Sequence, residues 1–165
     1  MTFGRHLAAL AMTVLFSVTA SAQAIRQIPL PPSQNPTGAD LPVSGATWAG
    51  NTLYVSGWLD PDMKTHTDTK SQTVGILEDI RKLLESQKLT MGDIAMVRVY
   101  LGDNPATGGK PDFSGLMAGY TQFFGTKDQP HKAARTTVQV TLPAASRGAL
   151  VEIDVIAVRP TNRPI

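Results

Sequence analysis

The chain has 165 residues, of which 42% are hydrophobic and 17% charged, which is typical of one globular domain with a sizeable core and not of a disordered chain. Its 15 basic and 13 acidic residues give a net charge of +2 and are scattered along the sequence. We therefore expect no nucleic-acid partner. The absence of cysteine excludes disulfides, a thiolate nucleophile and cysteine-ligated metal.

The first 24 residues have the pattern of a secretory signal peptide. Arg5 precedes an apolar run of about 12 residues, too short for a membrane-spanning helix. The small-residue segments ASA (20–22) and AQA (22–24) both fit a cleavage signal. We expect cleavage after residue 22 or 24 and no membrane contact afterwards, with an uncleaved anchor as the alternative. A signal peptide on a chain that contains no cysteine favours a periplasmic or secreted location.

Residues 25–42 form a proline-rich segment, for which we predict an extended arm with little regular structure. The globular part then begins at residue 43 with "ATWAG" and "NTLYVSG", which predict a β-hairpin. Apolar residues at helical spacing predict a helix over 69–87, and the alternating run "IAMVRVYL" predicts a strand.

A glycine- and proline-rich loop over 102–112 leads into a second helix predicted at 113–124, with its aromatic residues in the core. The last two strands, "ARTTVQVTLP" and "ALVEIDVIAV", are predicted to form a hairpin. The predicted order is β-β-α-β-α-β-β over residues 43–160, followed by a tail at 161–165. This order defines an α+β domain with helices on one face of a mixed sheet.

Three charges in the last two strands call for an explanation, because charges inside strands usually have a partner or a task. Arg135 opens the first of these strands, and Glu152 and Asp154 lie within the second. If the strands pair as a hairpin, Arg135 lies across from the region of Asp154 and forms an ion pair with it or with Glu152. Alternatively, the guanidinium is held ready to bind the carboxylate of a ligand.

The same strands carry a resemblance to a known family. "ARTTVQVTLP…ALVEIDVIAV" is similar to the C-terminal signature of the Rid family (reactive intermediate deaminase A, also called the YjgF/UK114 family). "AGNTLYVSG" resembles its first strand pair, and "TVGILEDIRKLLESQKLTMGDIAMVRVYL" its first helix and third strand. The resemblance covers residues 43–159 and implies a chorismate-mutase-like fold and a homotrimer with clefts between subunits. It also implies hydrolysis of enamines and imines such as 2-aminoacrylate to 2-oxo acids and ammonia, without metal or organic cofactor.

Position by position, the resemblance assigns roles to five residues. Arg135 matches the arginine that binds the substrate carboxylate, and Glu152 matches the glutamate that positions the attacking water and transfers a proton. Ser56 and Gly57 match the pair that lines the cleft. Thr137 stands where many members have cysteine.

The chain departs from the family pattern at three positions. Val43 stands in the place of a tyrosine, Met117 in the place of an asparagine, and Trp58 in the place of a glutamine. With Trp58 and Met117 lining it, the pocket would be more apolar than usual. A non-catalytic periplasmic protein that binds a small carboxylate or a protein partner in the same cleft is therefore the alternative.

No other motif predicts a site. His66 and His131 are the only histidines outside the predicted signal peptide, and they do not have metal-ligand spacing, so no metal is expected. Asp60 and Asp62 flank a proline, which is typical of a turn. The segment GGK (108–110) lacks the rest of a phosphate-binding loop.

Overall fold

We describe the protein from a computed structural model. The structure describes residues 24–143, 146 and 148–161. The predicted signal peptide lies outside these residues except for its last position, and the predicted tail lies outside them except for its first. Within the described part of the chain, no helix is both long and apolar enough to cross a membrane.

The chain folds into one six-stranded sheet and two α-helices, which confirms the predicted α+β class. The elements in chain order are β1 (Ile25–Ile28), β2 (Ala46–Ala49), β3 (Thr52–Trp58), α1 (Thr69–Ser86), β4 (Ile94–Leu101), α2 (Phe113–Tyr120), β5 (Ala134–Gln139) and β6 (Val151–Val158). Two short 3-10 helices lie at Met91–Asp93 and Pro105–Thr107.

The first strand corrects the prediction that residues 25–42 have little regular structure. Residues Ile25–Ile28 pair antiparallel with β2 and form one edge of the sheet. They precede the prolines of the arm, so their backbone N–H groups are free to join the ladder. From residue 29 to residue 42, the arm contains no helix or strand, as the prolines predict.

The sheet order is β1-β2-β3-β6-β4-β5, with β4 and β5 parallel and every other neighbouring pair antiparallel. The predicted hairpin of β5 and β6 is therefore wrong, because β4 lies between them. The β4–α2–β5 segment forms a parallel crossover, and β6 returns to pair with both β3 and β4.

The two helices pack on one face of the sheet. Helix α1 begins at Asp68, whose carboxylate accepts a hydrogen bond from the Ser71 amide, and ends close to its predicted limit. Helix α2 begins at Asp112 in the same way but ends four residues earlier than predicted. There the Phe123 amide donates to the Tyr120 carbonyl in a tighter turn, which still keeps both aromatic side chains buried.

The core lies between the helices and one set of alternating strand residues. Its members are large aliphatic and aromatic side chains, among them Leu53, Val55, Ile76, Leu77, Ile80, Leu84, Val97, Val99, Ile153 and Val155. The opposite face of the sheet carries the remaining alternating residues, and Tyr54, Val138 and Val158 are exposed there. Each strand thus presents side chains to two different environments.

Candidate functional site

Arg135 lies on the helix face of the sheet, near the start of β5. Its register partner in β4 is Val97, which is fully buried in the core. The guanidinium lies 4.6 Å from the centre of the Tyr120 ring and 5.8 Å from that of Phe113, and its Nη1 contacts the Met117 sulfur at 3.2 Å. Aromatic faces and a thioether stabilise the cation but leave its fork of donors available.

A pocket of about 490 Å³ opens beside this guanidinium. It is bounded by α2, the turn after it and the start of β5, and Met117, Tyr120, Lys132 and Arg135 are among its lining residues. None of the carboxylates in the described part of the chain pairs with Arg135. Two cations and an apolar wall make this pocket suited to a small carboxylate.

Glu152 lies on the other face of the sheet, near the start of β6. Its register partner is Tyr100 of β4, and its carboxylate forms no hydrogen bond with any residue that the structure describes. Burial raises the pKa of Glu152, and the neighbouring Asp154 carboxylate raises this pKa further. A carboxyl group with a raised pKa is a stronger base, and it keeps its proton to a higher pH than an ordinary carboxyl group.

Gly57 allows Glu152 to occupy this position. The register of β3 against β6 shifts between Val55 and Trp58, so Ser56 and Gly57 form a bulge in the strand. A Cβ atom at residue 57 would lie 1.9 Å from Oε1 of Glu152. The glycine predicted to line the cleft is therefore in direct contact with the predicted catalytic carboxylate.

The ion pair expected between Arg135 and a strand carboxylate does not form. Asp154 instead accepts a hydrogen bond from Nε of Arg98 at 2.7 Å and one from the Tyr100 hydroxyl at 3.0 Å. Both partners come from β4, the strand that separates β5 from β6. This contact raises the pKa of Arg98, while burial and the Asp154 carboxylate raise the pKa of Tyr100. The structure thus rules out pairing with Asp154 and leaves Arg135 available.

Within one chain, Arg135 and Glu152 do not meet. Arg135 faces the helices, whereas Glu152 alternates with the core residues Val151 and Ile153 and faces away from them. A second pocket, of about 390 Å³, lies beside Glu152 and is lined by Gly57, Tyr100 and Asp154 among others. The two predicted catalytic residues therefore belong to two separate surfaces of the protomer.

The remaining predicted residues divide between these surfaces. Ser56 adjoins Gly57, and its hydroxyl donates to the Ser44 carbonyl at 2.6 Å. Thr137 follows Arg135 on the helix face, where its buried Oγ1 has no hydrogen-bond partner among the described residues. Met117 lines the Arg135 pocket. Val43 is 59% exposed near the beginning of β2.

Trp58 lies on neither of these two surfaces, which corrects the prediction that it lines the substrate pocket. The bulge at residues 56 and 57 returns Trp58 to the helix face, where it is only 1% exposed. It packs between the arm and α1 instead of beside Glu152. Trp58 directly follows Ser56 and Gly57, so the sequence predicts that it lines the cleft with them. The bulge that changes its face cannot be predicted from the alternation of residues alone.

Two tyrosines near the site were missed by sequence reasoning. Tyr120 was predicted to be a core residue, but its ring also supports Arg135, and burial raises its pKa while Arg135 lowers it. Tyr100 lies beside Glu152 and lines the same pocket. Tyr100 alternates with the core residues Val99 and Leu101 along β4, and this alternation was the sequence signal that could have placed it on the opposite face. Among the described residues, no group of three or more potential ligands could hold a metal ion.

The fold and the two surfaces define an α+β protein with one sheet, which carries on opposite faces a half-buried glutamate and an arginine that has no carboxylate partner among the described residues. Residues 35–159 match the family described as Endoribonuclease L-PSP. A RutC family protein of Pyrococcus horikoshii is 36% identical over 121 residues, which are 70% of this chain and 86% of that protein.

Two solved structures are similar in fold. A Rid family protein of Yersinia pestis has 27% identity and a TM-score of 0.62, with 82% of this chain and 100% of that chain covered. A YjgF/YER057c/UK114 family member of Mycobacterium tuberculosis, at 22% identity and a TM-score of 0.60, shows the fold with the same coverage. The chain belongs to the Endoribonuclease L-PSP family, and the predicted resemblance to the Rid and YjgF proteins is confirmed.

Proposed function

We propose that the protein hydrolyses reactive enamines and imines of the 2-aminoacrylate type to 2-oxo acids and ammonia. Family membership supports a general role in the handling of imine or enamine intermediates, or a related function. The finer proposal depends chiefly on one observation, the Arg135 guanidinium that lines a pocket without a carboxylate partner among the described residues.

In this proposal, Arg135 binds and orients the substrate. A substrate carboxylate pairs with the guanidinium, which the Tyr120 ring holds in place. The apolar wall that Met117 contributes favours a short aliphatic substituent on the imine carbon. An enamine is first converted to its protonated imine by taking a proton at carbon.

Glu152 would transfer the protons of hydrolysis. Its carboxylate accepts a proton as water adds to the carbon of the protonated imine, so that a C–O bond forms and the C=N double bond becomes single. The carboxyl then protonates the amine nitrogen of the carbinolamine. The C–N bond breaks, the hydroxyl passes its proton to the Glu152 carboxylate, and a 2-oxo acid and ammonia leave. The raised pKa of Glu152 makes its carboxylate a stronger base in the addition step, and the carboxyl remains able to return the proton to nitrogen.

We propose that two copies of the chain build each site, in keeping with the homotrimer that the resemblance implies. Arg135, Met117 and Thr137 would come from one protomer, and Ser56, Gly57 and Glu152 from its neighbour. The placement of these groups on opposite faces of a protomer supports this division, because a cleft between copies can join them.

Competition for imines tests the activity. An amino-acid oxidase supplies imino acids, and semicarbazide traps those that the protein has not hydrolysed. Wild-type protein should reduce semicarbazone formation, and Arg135→Ala should restore it. Arg81→Ala is the matched control, since Arg81 is a surface residue of α1 paired with Glu78. If wild-type protein has no effect on a range of imino acids, the alternative of a non-catalytic carboxylate-binding or protein-binding role is favoured.

Complementation tests the shared site. Arg135→Ala and Glu152→Gln chains, inactive alone, are refolded together in equal amounts. If each site takes its arginine and glutamate from different copies, about one quarter of the sites in random mixed oligomers are intact. Recovery of about a quarter of wild-type activity supports the proposal, whereas no recovery contradicts it.

We also propose that the mature protein is periplasmic or secreted, on the pattern of residues 1–24. The N-terminal sequence of the protein recovered from a bacterial periplasmic fraction should begin at residue 23 or 25. Recovery of the uncleaved chain from the cytoplasm would contradict this location.

A further inference from the structure

A third pocket lies away from both surfaces described above, between the arm and α1. Its volume is about 320 Å³, and we call it the arm pocket. Ile28, Pro29 and Pro31 of the arm form one wall. Trp58 of β3 and the α1 residues Asp79 and Leu83 form the others. Most of this lining is apolar, which is typical of a site for a small molecule.

Two buried polar atoms belong to the residues of this pocket. Trp58 is 1% exposed, and its indole N–H has no hydrogen-bond partner among the described residues. Asp79 is 7% exposed. Its Oδ1 contacts Nζ of Lys82 at 3.3 Å, but its Oδ2 has no hydrogen-bond partner among the described residues. Buried polar groups are nearly always paired in folded proteins, so an unpaired donor and an unpaired acceptor in one pocket point to a ligand.

Contacts at both ends of the arm hold it against the domain, so the arm pocket is preformed. The Gln34 side chain donates to the Leu59 carbonyl at 2.8 Å and accepts from the Leu59 amide at 3.2 Å. At the other end, β1 pairs with β2, and Arg26 donates to the Gln87 side chain at 3.0 Å. A Cβ atom at Gly45 would lie 2.7 Å from the Pro29 carbonyl oxygen, so the arm lies close against the domain.

The arm wall also lies outside the residues that match the family model. The family match begins at residue 35, whereas the arm residues that line the pocket lie between 28 and 33. The pocket therefore combines the family domain with a segment outside the matched region, and its ligand need not be related to the imine chemistry proposed above.

We propose that the arm pocket binds a small, neutral, largely apolar molecule that carries one hydroxyl group. The hydroxyl oxygen accepts from the Trp58 indole N–H, and its proton is donated to Oδ2 of Asp79. Oδ2 of Asp79, an acceptor without a partner among the described residues, disfavours an anion, and Lys82, whose Nζ lies 3.3 Å from Oδ1, already pairs with the carboxylate in place of a ligand cation. At about 30 Å³ per water-sized group, the volume accommodates roughly ten non-hydrogen atoms.

Benzyl alcohol and toluene form a matched pair of probes, since they differ in the hydroxymethyl group. The chain contains two tryptophans, and Trp48 donates its indole N–H to Oε1 of Gln87 at 3.1 Å. In ¹⁵N–¹H spectra of the full-length protein, benzyl alcohol should shift the Trp58 indole proton downfield until saturation. The Trp48 indole resonance should stay in place, and toluene should bind about tenfold more weakly.

Two variants separate the donor from the acceptor. Trp58→Phe and Asp79→Leu should each weaken benzyl alcohol about tenfold by calorimetry, while Trp48→Phe leaves its affinity unchanged. The proposal is overturned if benzyl alcohol produces no saturable shift, if toluene binds equally well, or if neither variant weakens binding. Such results would mean that water satisfies both groups. The comparison of the two probes on the wild-type protein decides the matter even if a variant fails to fold.

Discussion

Gly57→Ala should displace Glu152 without unfolding the protein. The added Cβ would lie 1.9 Å from Oε1 of Glu152, whereas ordinary contacts begin at 3.4 Å. The carboxylate must therefore move by about 1.5 Å. Because the atom in conflict is the end of a flexible side chain, the fold can absorb the change. A misplacement of about 1 Å can cost roughly 100-fold in rate, so kcat/KM for imine hydrolysis should fall at least that far.

The semicarbazide competition assay measures this loss, and nuclear magnetic resonance follows the Glu152 carboxyl. Displacement toward water should also lower the pKa of Glu152, because burial is the main cause of its elevation. Gly92→Ala is the control, since its nearest neighbouring atom would be 3.5 Å away. Full activity in Gly57→Ala, with the pKa of Glu152 unchanged, would show that the close contact has no role in positioning the carboxylate.

Three further predictions concern the same two surfaces. As pH rises, Glu152→Gln should gain stability relative to wild type, measured by the urea midpoints of the two proteins. The folded-state pKa of Glu152 lies above the ordinary 4.5, so the stability that its protonated form contributes is present below pH 4.5 and is lost as pH rises through the folded-state pKa. Arg135→Lys should lower kcat/KM by about 10- to 100-fold despite its retained charge, because an ammonium cannot form the two-pronged contact with a carboxylate; an unchanged value would exclude that contact. Asp154→Ala should cost about 2 kcal/mol in urea unfolding, since Arg98 and Tyr100 lose their shared acceptor, and a loss below half of this would mean that water replaces it.

The helices and the general class were predictable because their signals are local. Asp68 and Asp112 are capping residues directly before amphipathic runs, and both cap helices in the structure. Helix α2 ended early because its aromatic side chains can be buried from a turn as well as from a helix. Helical spacing of apolar residues does not distinguish between these two backbones over so short a segment.

The order of the strands in the sheet could not be predicted from such local signals. Residues 134–158 read as two strands and a turn, yet the partner of Asp154 is Arg98, from a strand more than 50 positions earlier in the chain. Alternation identifies which residues share a face, but it does not identify the neighbouring strand. The identities of Arg135 and Glu152 came from the family motif, and only the topology placed them on opposite faces.

The position of β6 has a consequence for how the chain folds. This strand is the last element, but it lies between β3 and β4 at the centre of the sheet. Until residues 151–158 are available, the ladder consists of two unconnected parts, β1-β2-β3 and β4-β5. Synthesis from the ribosome therefore cannot yield a complete core before the C-terminal strand emerges, and the long-range pairing that joins the two parts favours slow folding. A chain truncated before residue 151 should therefore remain unfolded, which circular dichroism of the truncated protein would show.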